Sequence, residues 1–220
     1  MRDTVRYGRP PKGLAGEVEE RILDAARELF LKHGFGGASI DEIAAVARSA
    51  KTTIYARFTD KRALFTAVVM RDIVSRISQF KIEVPTEGTI EERFASAGVG
   101  LLRWTLVTER FRLMRLAIAE AHRFPDLAST VSRAARERST EVAARLLGEM
   151  TRSDELGTLP AFAAERLATT ARFFLDLVVV PFLVQALFGV KLNTLREEIG
   201  PHVARSVAFF LAACRNGGVG

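Results

Sequence analysis

The sequence predicts an all-α protein with a small N-terminal domain of three helices and a larger C-terminal helical domain. Apolar residues recur at spacings of three and four through most of the chain, as they do on the buried face of a helix. No segment alternates apolar and polar residues as a half-buried strand does. A length of 220 residues with 48% hydrophobic content is enough for a folded chain of two parts.

Residues 1–16 are predicted to form a flexible basic arm. They combine four Lys or Arg side chains with several Gly and Pro residues, and they show no apolar period. Arg9 lies in the segment GlyArgProProLys and is a candidate for insertion into a narrow DNA minor groove. A disordered tail that only aids solubility is the alternative.

Residues 17–62 are predicted to form the N-terminal domain. Its first helix carries an apolar stripe and should stop at Gly34, since glycine is the usual residue after a helix end. Ser39 and Glu42 have the spacing of a capping box, so a second, short helix should begin at Ile40.

A third helix should begin near Ala50, after ArgSerAla interrupts the apolar period. On this helix Ile54 and Phe58 lie one turn apart and are predicted to be buried. The remaining side chains are left for a partner: Lys51, Thr52, Tyr55 and Arg57. The stretch from Arg48 to Arg62 holds five Lys or Arg residues against a single Asp, which favours a phosphate backbone as that partner.

This arrangement resembles the DNA-binding domain of the TetR family of bacterial transcriptional regulators, which contains a helix-turn-helix. The resemblance covers roughly residues 17–64 and rests on the two helices, the turn and an ordered set of residues: Thr53, Ile54, Tyr55, Phe58, Lys61 and Leu64. Four departures lie in the turn and at the start of the third helix. The family usually has Gly at Arg48, an apolar residue at Ser49, Ser at Ala50 and often Gly at Thr52. Ser49 is expected to take over the role of the capping Ser that Ala50 replaces.

The resemblance implies a set of DNA contacts: Ser39, Arg48, Lys51, Thr52, Thr53, Tyr55, Arg57 and Lys61. Base edges are assigned to Lys51 and Thr52. Phosphates are assigned to Thr53, Tyr55 and Lys61, with Ser39 as an additional phosphate contact. Arg48 and Arg57 fit either role.

Residues 63–220 are predicted to form the ligand-binding and dimerisation domain. A helix capped by Thr59 or Asp60 should end before Pro85, and Thr89 with Glu92 forms a second capping box. Further helices are expected to begin again at Thr108 and to cover 126–150. A long apolar helix should be opened by Pro160 and kinked at Pro181, and a last helix over 194–214 should be broken at Gly200 and Pro201.

Residues 115–128 resemble a segment of the effector domains called AefR-like. Family resemblance implies that the last two helices of each subunit form a homodimer interface, and the nearly all-round apolar character of residues 173–184 fits such a buried position. It also implies a pocket for a small-molecule effector, with five larger side chains as candidates: Trp104, Phe111, Met114, His122 and Phe173. A DNA-binding regulator without a small-molecule ligand is the alternative.

Several other classes are disfavoured. The three His residues are far apart in the chain and Cys214 lies in an apolar segment, so neither a catalytic group, a metal site nor a cofactor is predicted. A single Cys and the absence of a secretory signal favour the cytoplasm. Residues 171–190 contain Asp176, Pro181 and Gln185, which argues against a membrane span.

Overall fold

The computed structural model describes residues 12–78, 80–81, 87–152 and 155–217. These residues form helices and turns without a strand, which confirms the predicted all-α class. The chain divides into two compact units, Met1–Met70 and Arg71–Gly220. The division falls later than the predicted boundary at residue 62, because the fourth helix packs against the first and belongs to the N-terminal unit.

The N-terminal unit contains four helices: α1 (Lys12–Gly37), α2 (Ile40–Val46), α3 (Lys51–Tyr55) and α4 (Lys61–Met70). Because α1 begins at Lys12, residues 12–16 of the predicted flexible arm are helical, and the rest of that arm lies outside the described residues. Gly34 interrupts α1 with φ 70°, a conformation that glycine adopts without a steric penalty, and this confirms the helix stop predicted there.

Aromatic side chains hold α1 against α4. The ring of Phe30 lies 5.0 Å from that of Phe65, edge to face, and Phe35 lies 5.2 Å from Phe65. Ile54 and Phe58 are buried in the same unit, which confirms their predicted structural role. The short helix α3 is therefore anchored by Ile54 within it and by Phe58 just after it, while Lys51, Thr52 and Tyr55 stay exposed.

The C-terminal unit begins with a π-helical turn, Arg71–Ser75, and continues through seven helices and two 3-10 turns. The helices are α5 (Arg76–Ser78), α6 (Ile90–Thr105), α7 (Thr108–Ala119), α8 (Pro125–Thr151), α9 (Leu167–Val178), α10 (Val180–Leu187) and α11 (Leu192–Arg215), and the 3-10 turns are Glu155–Thr158 and Pro160–Phe162. The capping box of Thr89 and Glu92 is present at the start of α6, as predicted.

Two proline predictions are wrong. Pro160 opens only a 3-10 turn, because Ala163 leaves the helical conformation at ψ 147°, and α9 begins later, at Leu167. Pro201 does not break the last helix. Its fixed φ is compatible with a helix, and the buried neighbours Ile199 and Val203 anchor α11 on both sides of the missing amide.

The predicted kink near Pro181 is present as a bend of 45° between α9 and α10. No individual helix in the described ranges has the length and apolar content to cross a membrane, although α9 and α10 together meet that criterion across their bend.

Three phenylalanine rings form the centre of the C-terminal core. Phe174 and Phe210 lie 5.2 Å apart, and each lies within 5.9 Å of Phe94. Near them, α6 and α11 approach so closely that a Cβ atom on Gly98 would lie 2.8 Å from Cγ1 of Val203. Cys214 is buried in this core, as predicted from its apolar surroundings.

Candidate nucleic-acid interface and ligand cavity

The start of α2 is fixed by the predicted capping box. The amide of Glu42 donates to the Ser39 hydroxyl at 3.1 Å, and the Ser39 hydroxyl donates to the Glu42 carboxylate at 2.9 Å. This side-chain bond, together with a second one from the Ser39 amide, lowers the pKa of Glu42. Ser39 is half-buried and its hydroxyl is already engaged, so its first role is structural.

The turn between α2 and α3 contains a residue in the left-handed region. Arg48 has φ 49°, and it alone among the described non-glycine residues has a positive φ. The amide of Ser49 donates to the carbonyl of Ala44 at 3.0 Å and closes the turn. Arginine thus retains the backbone geometry that glycine adopts more readily, and its exposed guanidinium has no partner in the described part of the chain.

The third helix begins at Lys51 after the N-cap residue Ala50, and no side chain forms a hydrogen bond to cap it at that position. The expectation that Ser49 supplies this cap is therefore wrong: Ser49 lies within the turn, one residue ahead of the N-cap. The start of α3 leaves free amides next to the exposed Lys51 and Thr52.

Lys51 forms an ion pair with Asp41 of α2. Its Nζ lies 2.9 Å from Oδ1 and 3.1 Å from Oδ2 of Asp41, and both side chains are largely exposed. The hydrogen bond to this carboxylate raises the pKa of Lys51. The residue assigned to a base edge is thus already paired when no DNA is bound.

Lys61 and Arg57 also have contacts within the unit. Nζ of Lys61 donates to the carbonyl of Gly36 at 3.3 Å and lies 4.8 Å from the ring centre of Phe35. Nη1 of Arg57 donates to the carbonyl of Thr53, one turn earlier, at 3.3 Å. Asp60 caps α4, as predicted, by accepting a hydrogen bond of 2.7 Å from the Ala63 amide.

The predicted DNA contacts therefore fall into three groups. Exposed residues are Arg48, Lys51, Thr52 and Tyr55; half-buried residues are Ser39, Thr53, Arg57 and Lys61; Arg9 lies outside the described residues. Tyr55 is 46% exposed, a large value for an aromatic side chain on a helix of five residues. The sequence did not identify Asp41, because its ion pair with Lys51 joins two helices across the turn and the two residues are not at helical spacing.

A cavity of about 320 Å3 lies within the C-terminal unit. Three of the predicted pocket residues line it: Trp104, Phe111 and Met114. His122 and Phe173 do not. His122 is exposed in the turn after α7, and Phe173 lies on α9 next to Phe174, which takes the core-facing position and leaves Phe173 48% exposed.

Sequence reasoning missed the charged residues of the cavity wall. The buried carboxylate of Asp72 lies 2.7 Å from Nη2 of Arg76, and Asp176 lies 4.0 Å from Nε of Arg172. Both pairs have the spacing of helical neighbours, but that spacing does not indicate a cavity. Within the described ranges, no group of three or more His, Cys, Asp or Glu side chains is arranged to hold a metal ion.

Large apolar side chains are exposed on the last helices of the C-terminal unit. Phe188 is 88% exposed just after α10, and Phe209 of α11 is 67% exposed. Phe173, Val180 and Val184 add to this set on α9 and α10.

Two family models match the chain. The model of bacterial regulatory proteins of the tetR family matches residues 22–68, and the C-terminal domain of AefR-like transcriptional repressors matches residues 92–216. The first match lies within the N-terminal unit and the second within the C-terminal unit.

Three similar proteins are also named as regulators or repressors. The HTH-type transcriptional repressor BepR of Brucella suis is 27% identical over 189 residues, 83% of this chain and 87% of BepR. The HTH-type transcriptional repressor SCO4008 of Streptomyces coelicolor is 40% identical over 70 residues, which span only 34% of its length and 32% of this chain. The solved structure of the Flavonoid-responsive Regulator FrrA is 25% identical with a TM-score of 0.66, over 90% of this chain and 97% of that one.

Proposed function

Because the chain belongs to the TetR family of bacterial regulatory proteins and has an AefR-like C-terminal domain, we propose that it represses transcription as a ligand-responsive dimer. Each dimer binds a near-palindromic operator in the cytoplasm, and a small-molecule effector releases it. The observation that supports DNA binding is α3, which buries Ile54, is followed by the buried Phe58, and exposes Lys51, Thr52 and Tyr55.

The roles of these side chains follow from their chemistry. Lys51 and Thr52, at the start of α3, are assigned to base edges in the major groove. Tyr55 and Thr53 are assigned to phosphates that fix the register of the helix. The Lys61 ammonium carries three N–H donors and can contact a phosphate beside its internal hydrogen bond. The single hydroxyl donor of Ser39 is bound to Glu42, so Ser39 contacts a phosphate only by exchanging that hydrogen bond.

The three remaining cations have separate assignments. Arg48 is exposed in the turn and free to reach DNA, whereas the guanidinium of Arg57 donates a hydrogen bond to the Thr53 carbonyl. Either one can contact a phosphate or a base. Arg9 is assigned to the minor groove beside the operator half-site.

The homodimer is supported by the exposed Phe188, Phe209 and Val184 on the last helices. Two copies of this surface would bury one another around a two-fold axis. Such symmetry presents two copies of α3 to successive major-groove faces about 34–36 Å apart, which requires a near-palindromic operator.

Effector control is supported by the cavity of the C-terminal unit, whose volume suits a small organic molecule. FrrA, which is similar in fold over most of its length, is named as a flavonoid-responsive regulator, and this supports an aromatic effector. The alternative, a regulator without a ligand, leaves this largely apolar cavity unexplained.

The test of DNA recognition begins with genomic fragments selected on the full-length protein. Affinity is then measured for the best fragment and for random duplex at one salt concentration. Lys51→Ala should lower the ratio of the two affinities, whereas Tyr55→Phe should weaken both equally because it removes a phosphate contact. Lys32→Ala, which removes an exposed charge from α1, is the control and should change neither.

Asp41→Asn completes this experiment. It frees the Lys51 ammonium for any phosphate, so binding to random duplex should rise and the affinity ratio should fall. A constant ratio for Lys51→Ala would remove Lys51 from base recognition, and selected fragments without inverted repeats would contradict the dimeric operator.

A further inference from the structure

The charges around the cavity do not balance. Asp72 is paired with Arg76, and Asp176 faces Arg172 on the wall formed by α9. Arg136 of α8 is the fifth charged residue of the lining, and its guanidinium forms no ion pair or hydrogen bond with the described residues. Arg136 is exposed to solvent and also lines the cavity, so the lining includes one positive charge without an ion-pair partner among the described residues.

Hydroxyl groups lie on the same part of α8. Thr140 is one helical turn after Arg136 and also lines the cavity, so the two side chains lie on one face of the helix. The Ser139 hydroxyl donates to the carbonyl of Ala135 at 2.8 Å and keeps its oxygen as an acceptor. A guanidinium and a neighbouring hydroxyl form a donor pair suited to an anionic oxygen.

The rest of the wall is apolar and aromatic. The rings of Phe80 and Trp104 meet edge to face at 4.7 Å, and Phe111, Met114 and Leu183 extend the same surface. These side chains would cover a flat hydrocarbon or aromatic body. One polar position on α8 and an extended apolar wall together describe an amphipathic ligand.

We propose that the cavity binds an organic acid with an aromatic or otherwise apolar body, whose carboxylate or phenolate oxygen pairs with Arg136 and Thr140. This inference rests on the proposed role of the cavity as the effector site. A cationic ligand is disfavoured, because it would have to displace Arg76 from the buried Asp72 and would also meet the unpaired Arg136.

The test uses three probes with one naphthalene body: 2-naphthoate, 2-naphthamide and 2-naphthylmethylamine. Binding to the full-length protein is measured by calorimetry. The carboxylate should bind about tenfold more tightly than the neutral amide, the effect expected of one charge-assisted hydrogen-bonded contact. The amine, which is a cation, should bind most weakly.

Arg136→Gln should remove the preference for the carboxylate and leave the affinity for the amide unchanged. Arg133→Gln is the matched control, since Arg133 is an exposed arginine on the same helix outside the cavity lining, and it should retain the preference. Tightest binding of the amine, an unchanged preference in Arg136→Gln, or no binding of any probe at millimolar concentration would overturn the inference.

Operator affinity measured with each probe separates this inference from the proposed function. If the carboxylate binds through Arg136 but does not change operator affinity, the ligand class stands and effector control by the cavity fails. If the amine binds and releases operator DNA, effector control stands and the assignment of an acid fails.

Discussion

Replacing Arg48 with Gly should stabilise the fold while weakening DNA binding. At φ 49° a residue with a Cβ atom is strained by about 1–2 kcal/mol, and glycine removes that strain. Glycine also loses more backbone entropy on folding, which offsets about 0.5–1 kcal/mol of the gain. The net increase in the free energy of unfolding is therefore expected to be about 0.5–1 kcal/mol.

Arg48→Ala separates the backbone from the side chain. It removes the guanidinium but keeps the Cβ atom, so it should lose as much DNA affinity as Arg48→Gly without the gain in stability. Urea unfolding measures stability, and a salt titration of operator affinity measures the contact. Loss of one phosphate contact should reduce the salt slope by about 0.9 in both variants.

If Arg48→Gly is no more stable than Arg48→Ala, the positive φ of residue 48 carries no strain. Unchanged DNA affinity in both variants would instead remove Arg48 from the interface. Stability and DNA affinity are measured independently, so the backbone and the guanidinium are tested separately.

Two further predictions concern the C-terminal unit. Phe188→Glu should give folded monomers at micromolar concentration in sedimentation, because this side chain is 88% exposed in one chain and its replacement leaves the core intact. The control Phe188→Leu should remain dimeric, and an intact Phe188→Glu dimer would place the interface elsewhere. Burial raises the pKa of Cys214 to about 11, so the folded state keeps a proton that the unfolded chain loses from about pH 8.5 upward. The contribution of this thiol to the free energy of unfolding is therefore fully present below that pH and declines as the pH rises toward 11. The unfolding midpoint should fall more steeply over this range in the native protein than in Cys214→Ala. Equal slopes would contradict it.

Local features of the fold could be predicted from the sequence. Both capping boxes, Ser39 with Glu42 and Thr89 with Glu92, depend on residues three positions apart, so the pattern contains the whole interaction. The burial of Ile54 and Phe58 was predictable for a related reason, since they are apolar residues one helical turn apart, although α3 ends at Tyr55 and Phe58 follows it.

Interactions between elements could not be predicted in the same way. The ion pair of Lys51 with Asp41 joins two helices across a turn, and no periodicity places these residues together. On α9 the two phenylalanines are adjacent and have apolar residues near them on both sides, so the sequence does not indicate whether Phe173 or Phe174 faces the core. The chain packs Phe174 inward, and this excluded Phe173 from the cavity.

The close approach of α6 to α11 at Gly98 has an evolutionary consequence. A methyl group at position 98 would collide with Val203, which is completely buried among other core side chains. A chain that gains a side chain at 98 must therefore lose volume at 203, for example through Val203→Ala. Among descendants of this sequence, these two positions should covary as a pair, although about a hundred residues separate them in the chain.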